Sequence, residues 1–213
     1  MEEVLDVYTR PHDPDMPLVC LDETSKQLVA ETRTPIPMKK GQPERADYEY
    51  ERNGTANVFM LFAPLEGWRH AEVTDRRTAI DYAKILKDLS DIHFPHAKKI
   101  VLVQDNLNTH AKASLYEAFP PAEAGRLVAR FEWHYTPKHG SWLNPRFHED
   151  KHGGIGAGCP CRSMSGHAHR QPEALEQEVE AWLKRRNSHN AKADWRFTTD
   201  AARIELKSLS PAL

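Results

Sequence analysis

A chain of 213 residues with 39% hydrophobic and 28% charged residues is long enough to bury a proper core. Its composition is that of a globular protein, which excludes disordered and fibrous classes. The formal net charge of −2 excludes a cationic field over the whole molecule, so any hold on nucleic acid must come from local basic surface or another domain. No apolar run reaches membrane-spanning length, the acidic start MEEVLDVYTR lacks the regions of a secretory signal, and three cysteines make no disulfide framework. A cytoplasmic location with no membrane partner is expected.

Residues 1–17 are polar, carry Pro11, Pro14 and Pro17, and show no periodicity, so they are expected to form a linker or tail. Leu18 to Leu21 (LVCL) is an apolar run followed at once by Asp22, Glu23, Thr24 and Ser25. Residues 31–53 hold Pro35, Pro37, Gly41 and Pro43 among charges and read as a long loop, with YEYERN alternating as the start of a strand. Thr55 to Ala63 is the most apolar strand candidate, Pro64 to Gly67 a turn, and Trp68 to Thr74 an alternating strand, together a hairpin. From Thr78 to Phe94, apolar residues recur at three- and four-residue steps, which predicts an amphipathic helix ending before Pro95.

The stretch Lys98 to His110 (KKIVLVQDNLNTH) organises the rest. Ile100 to Val103 is β-branched-rich and does not alternate, as in a strand buried on both faces. It stops abruptly in Gln104, Asp105, Asn106, Asn108, Thr109 and His110, and ligands of open α/β sheets gather at such strand ends. Alone, an Asp-Asn pair reads as a strand terminator and helix cap. The run ending in Asp22 is its twin, and two such strands bring both carboxylates to one edge if they are parallel neighbours.

Helical material follows from Lys112 to Arg130, broken around Pro120 and Pro121, and Phe131 to Tyr135 is a fifth strand. Pro145 to Arg170 holds five of the ten glycines, with almost no large aliphatic residue, and is expected to be disordered. Helices are predicted from Pro172 and from Thr199 to Leu209. The order of elements gives an α/β class, a mixed five-stranded sheet with helices on both faces. Candidate basic patches are Lys39 and Lys40, Arg76 and Arg77, Lys98 and Lys99, and Lys184 to Arg186.

Paired aspartates at the ends of adjacent buried strands suit two-metal phosphoryl transfer, because hard divalent ions take oxygen ligands and stabilise both the attacking and the leaving oxygen at phosphorus. The motifs LVCLDETS, VLVQDN with the histidine of NLNTH, and HYTPKHGSWLN, in this order, resemble the catalytic core of bacterial insertion-sequence transposases in the mariner-like branch of the DDE superfamily. The similarity runs from Leu18 to Asn144 and resumes at Pro172. It implies a ribonuclease-H-like fold, with Asp22 and Asp105 as ligands of Mg²⁺ or Mn²⁺, and with Asn106 and His110 behind them. It also implies cleavage and strand transfer of transposon-end double-stranded DNA by a homo-oligomer. Relatives carry an N-terminal helix-turn-helix domain, where here 17 polar residues precede the first strand.

The third acid of that family is a helical Glu three residues after the Asn of the W-L-N motif. Phe147 stands there, and Pro145 opposes a helix through the site. Glu149, with Asp150 beside it, is the candidate replacement. Likeness and periodicity both lapse over residues 145–171, which are read as a segment translated out of frame, so the chain is either an active enzyme or an inactive remnant. The expected organisation is a tail (1–17), a ribonuclease-H-like core (18–144), a disrupted segment (145–171) and C-terminal helices completing the core (172–213). Alternative readings are another two-metal nuclease of this fold, a non-catalytic protein that interferes with intact transposase, and a zinc module from His148, His152, Cys159, Cys161, His167 and His169.

Overall fold

The computed structural model describes residues 1–31, 41, 50–137, 172–190, 192 and 198–205. Two long antiparallel strands, β1 (Leu18–Glu31) and β2 (Tyr50–Ala63), carry one half of the sheet, and β3 (Trp68–Thr74) returns beside β2 from Ala63↔Trp68 to Asn57↔Thr74. The hairpin turn needs Gly67, whose φ is +68° and where an added Cβ would stand 2.7 Å from the backbone oxygen of Asn190. Two further strands, β4 (Ile100–Gln104) and β5 (Phe131–Tyr135), run parallel to each other, and β4 also runs parallel to β1. The order across the sheet is β3-β2-β1-β4-β5, so β1 has an antiparallel neighbour on one side and a parallel one on the other.

Both faces are covered. On one, α2 (Ala79–Asp88), α3 (Lys112–Ala118) and α4 (Pro121–Arg130) cover the main core, built from Val19, Leu21, Phe59, Leu61, Tyr82, Leu86, Ile100 and Leu102 among others. Thr78 starts α2 with a reciprocal capping box to Asp81. The other face has two coverings. The helices α1 (Glu2–Tyr8) and α6 (Thr199–Glu205) lie over Leu18, Cys20, Val101 and Val103. The longer α5 (Pro172–His189) sets Leu175 and Val179 on Leu28, Ala56, Val58 and Ala71, and Trp182 on Met60. This double coverage explains why β4 is buried at every position and reads without alternation.

Three expectations are corrected. Residues 1–17 do not form a tail throughout: α1 buries Val4, Leu5, Val7 and Tyr8 against the sheet. Two helical turns are too short for periodicity to announce, and the prolines after Arg10 mask them. β1 runs ten residues past Leu21, paired with β2 through a register shift between Gln27 and Val29. The helix expected over 78–94 ends at Asp88 and gives way to a π-helical turn, Leu89–His93, closed by Phe94 N–H donating to the Leu89 carbonyl at 3.0 Å. The segment 145–171, its suspected frame change and all six residues of the zinc reading lie outside the described residues.

Candidate active site

The two acids are positioned by the parallel pairing of β1 with β4. Leu18, Val19 and Cys20 stand level with Val101, Leu102 and Val103, so the same register carries Asp22 level with Asp105, each two residues beyond the last of these pairs. Side chains alternate along a strand, so Asp22 follows Cys20 on the face that α1 and α6 cover, at the C-terminal end of their apolar patch. Asp22 is 8% exposed, and one of its carboxylate oxygens accepts the Glu23 N–H at 2.7 Å. Its cross-strand neighbour in β2 is Met60, against which Trp182 of α5 packs. Asp22 therefore stands between the two coverings of that face.

Asp105 is half-buried just past β4 and is held from the other side of the sheet. Nδ1 of His110 makes a very short contact with its Oδ1. The ring is fully buried and lies stacked on Tyr82, 4.7 Å between centroids at 23°. Gln104 fixes its backbone: Nε2 donates to the His110 carbonyl at 2.9 Å, while Oε1 accepts from the Tyr82 hydroxyl at 2.7 Å. Burial pushes the Tyr82 hydroxyl well up, so it remains a donor. Burial alone would push His110 down, but the carboxylates of Asp105 and Glu23 outweigh it and hold the ring up at about 9. Asn106 is exposed at the rim.

Glu23 follows Leu21 on the main-core face, with its side chain 4% exposed. Its carboxylate meets Arg77 Nη1 at 3.2 Å and faces His110 Nε2 at 3.5 Å. The link from Glu23 to Asp105 was not anticipated. The available signal is an acid placed by alternation on the inward side of a buried strand. Cys20, whose thiol burial pushes up to about 12, is an inert packing residue.

The basic patches are partly committed within the fold. Lys98 pairs with Asp15 at 2.6 Å, Arg77 with Glu23, and Arg186 is buried with its guanidinium over Trp182. Lys39 and Lys40 lie outside the described residues. Trp68 and Trp133 pack on the main core, and Trp142 lies outside the described residues. Among the described residues no group of three or more His, Cys, Asp or Glu is gathered to hold a metal. Glu149 and Asp150 belong to the residues outside the described ones.

A mixed sheet of this order, with helices on both faces, one acid within the long central strand β1 and another just past β4, defines the ribonuclease-H-like fold class. A family model of the DDE superfamily endonucleases matches residues 17–146, and the chain belongs to that family. The structure of a mariner Mos1 paired-end complex with Mg is similar over 100% of this chain and 60% of that one, with a TM-score of 0.58 at 15% identity. A pre-cleavage Mos1 transpososome matches over 90% of this chain and 60% of that one, with a TM-score of 0.45 at 15% identity. The chain therefore spans about 60% of the length of the solved chains it resembles. No curated protein matches it. Among the described residues, no helix is long and apolar enough to cross a membrane.

Proposed function

We propose that this chain is the catalytic domain of a DNA transposase, which cleaves transposon-end double-stranded DNA and joins the cut strand to a target. The observation that supports this reading is the β1–β4 register, whose last pair, Cys20 and Val103, is followed two residues later by Asp22 on one side and Asp105 on the other, both inside the residues that match the endonuclease family. The donor set fits a hard divalent ion, since both groups are carboxylates and the nearby histidine is turned to Asp105 rather than offered as a ligand. Asp22 and Asp105 would hold Mg²⁺ or Mn²⁺, with Glu149 or Asp150 as the third acid. The bound metal supplies Lewis-acid stabilisation of charge at the scissile phosphate.

The chain's own residues supply rigidity. Buried β1 fixes Asp22, and His110 restrains Asp105 from the opposite face, so neither acid has to be reordered when substrate arrives. A homo-oligomer acting on paired DNA ends, in the cytoplasm of a bacterium, follows from the same family resemblance.

Incubating the full chain with supercoiled plasmid bearing the candidate end sequences and Mg²⁺ tests the proposal. Nicking that falls at least about 100-fold in Asp22→Asn and in Asp105→Asn supports it. Specific DNA binding with no metal-dependent nicking favours the non-catalytic, interfering reading, and nicking that survives both substitutions refutes the assignment of the acids.

A further inference from the structure

On the main-core side of β1, three charged side chains form a chain from solvent to the candidate metal site. Arg77, 59% exposed on its side chain, holds Oε1 of Glu23 at 3.2 Å. Oε2 of Glu23 and Nε2 of His110 are both buried, face each other at 3.5 Å, and make no hydrogen bond. The other ring nitrogen of His110 is in short contact with Asp105. At that separation the carboxylate and the ring stand within ion-pair distance, and each would be costly to bury without the other.

Nothing in the core packing requires charge here. Glu23 stands across from Phe59 and follows Leu21 on its strand, where an apolar residue would bury at less cost. The ring is clamped by Tyr82 stacking and by its Gln104-held backbone, so Nε2 has one direction in which to find a partner, and Glu23 occupies it.

From this geometry we infer that Glu23 is a positioning residue: through His110 it sets the orientation of the Asp105 carboxylate, and Arg77 anchors it from the outside. The inference rests on the reading of Asp22 and Asp105 as metal ligands. Partners of a metal-binding side chain that lie one contact behind it typically change metal affinity 10- to 100-fold when removed, and that is the expected scale for Glu23.

The test measures Mn²⁺ affinity of the full chain by electron paramagnetic resonance, for the parent and for Glu23→Gln, His110→Gln and the double variant. Circular dichroism melts accompany each. Glu23→Gln and His110→Gln should each weaken Mn²⁺ binding about 10-fold or more, and the double variant should lose no more than the worse single one, because both act through a single contact. Losses that simply add, or unchanged affinity in folded Glu23→Gln, overturn the inference. If Glu23→Gln fails to fold, Arg77→Ala replaces it, since an exposed guanidinium can be removed without opening the core; a 3-fold or greater loss of affinity supports the relay and no loss overturns it. Failure of the underlying reading is separate: it shows as parent affinity unchanged in Asp22→Asn and Asp105→Asn.

Discussion

Gln104 shows how a single side chain prepares the site. It is the last residue of β4, fully buried, and both ends of its amide are used, one on the Tyr82 hydroxyl and one on the His110 carbonyl. Tyr82→Phe leaves Oε1 of Gln104 buried without its donor, which should cost about 1–3 kcal/mol, read as a lowered midpoint in urea unfolding with an unchanged slope. A second residue-scale effect is set by pH. His70 and His93 stand 4.4 Å apart between ring centroids, against Trp68, and burial pushes His70 down to about 4 and lowers His93. The unfolded chain, with histidines near 6.5, then binds more protons than the folded one between pH 6.5 and 4. Stability should therefore fall as pH drops through that window. Urea midpoints measured from pH 7 to pH 4 check this, and His70→Phe should flatten the decline.

Among the elements, the strands were the most legible. A strand covered on both faces is mostly apolar, so the runs IVLV and LVCL announce β4 and the start of β1 directly. The β1–β4 pairing itself follows from no local pattern; it became an expectation only when the two runs were compared. The Glu23–His110 contact was hidden because it joins residues far apart in sequence and depends on a loop conformation that no periodicity encodes. The first helix was hidden by brevity and by the prolines that follow it. Capping, in contrast, is local chemistry. Thr78→Ala removes half of the reciprocal box with Asp81 and should lower stability by about 1 kcal/mol, measured by the same denaturation.

At the scale of the molecule, the two ends of the described chain lock together over the sheet face that leads to Asp22. Arg203 of α6 forms a two-pronged pair with Glu2 at 2.8 and 2.9 Å, Thr199 donates to Asp6 at 2.5 Å, and Glu3 bonds His134 of β5 at 2.8 Å. The exposed pairs contribute little individually; the weight lies in the apolar patch of Leu18, Cys20, Val101 and Val103 that α1 covers. Deleting residues 1–9 uncovers side chains worth roughly 1.5–3 kcal/mol each for the larger ones, comparable in sum with the stability of an ordinary domain. The truncated chain should bind a hydrophobic dye and lose its cooperative thermal transition, whereas a true tail would leave the melt unchanged.

The account depends most on one shared metal position between β1 and β4. Crystals of the full chain soaked in Mn²⁺ and measured at the manganese absorption edge examine it directly. An anomalous peak ligated by carboxylate oxygens of both Asp22 and Asp105 is the predicted result. A peak bound by only one of them, or manganese found elsewhere with that position empty, would contradict it.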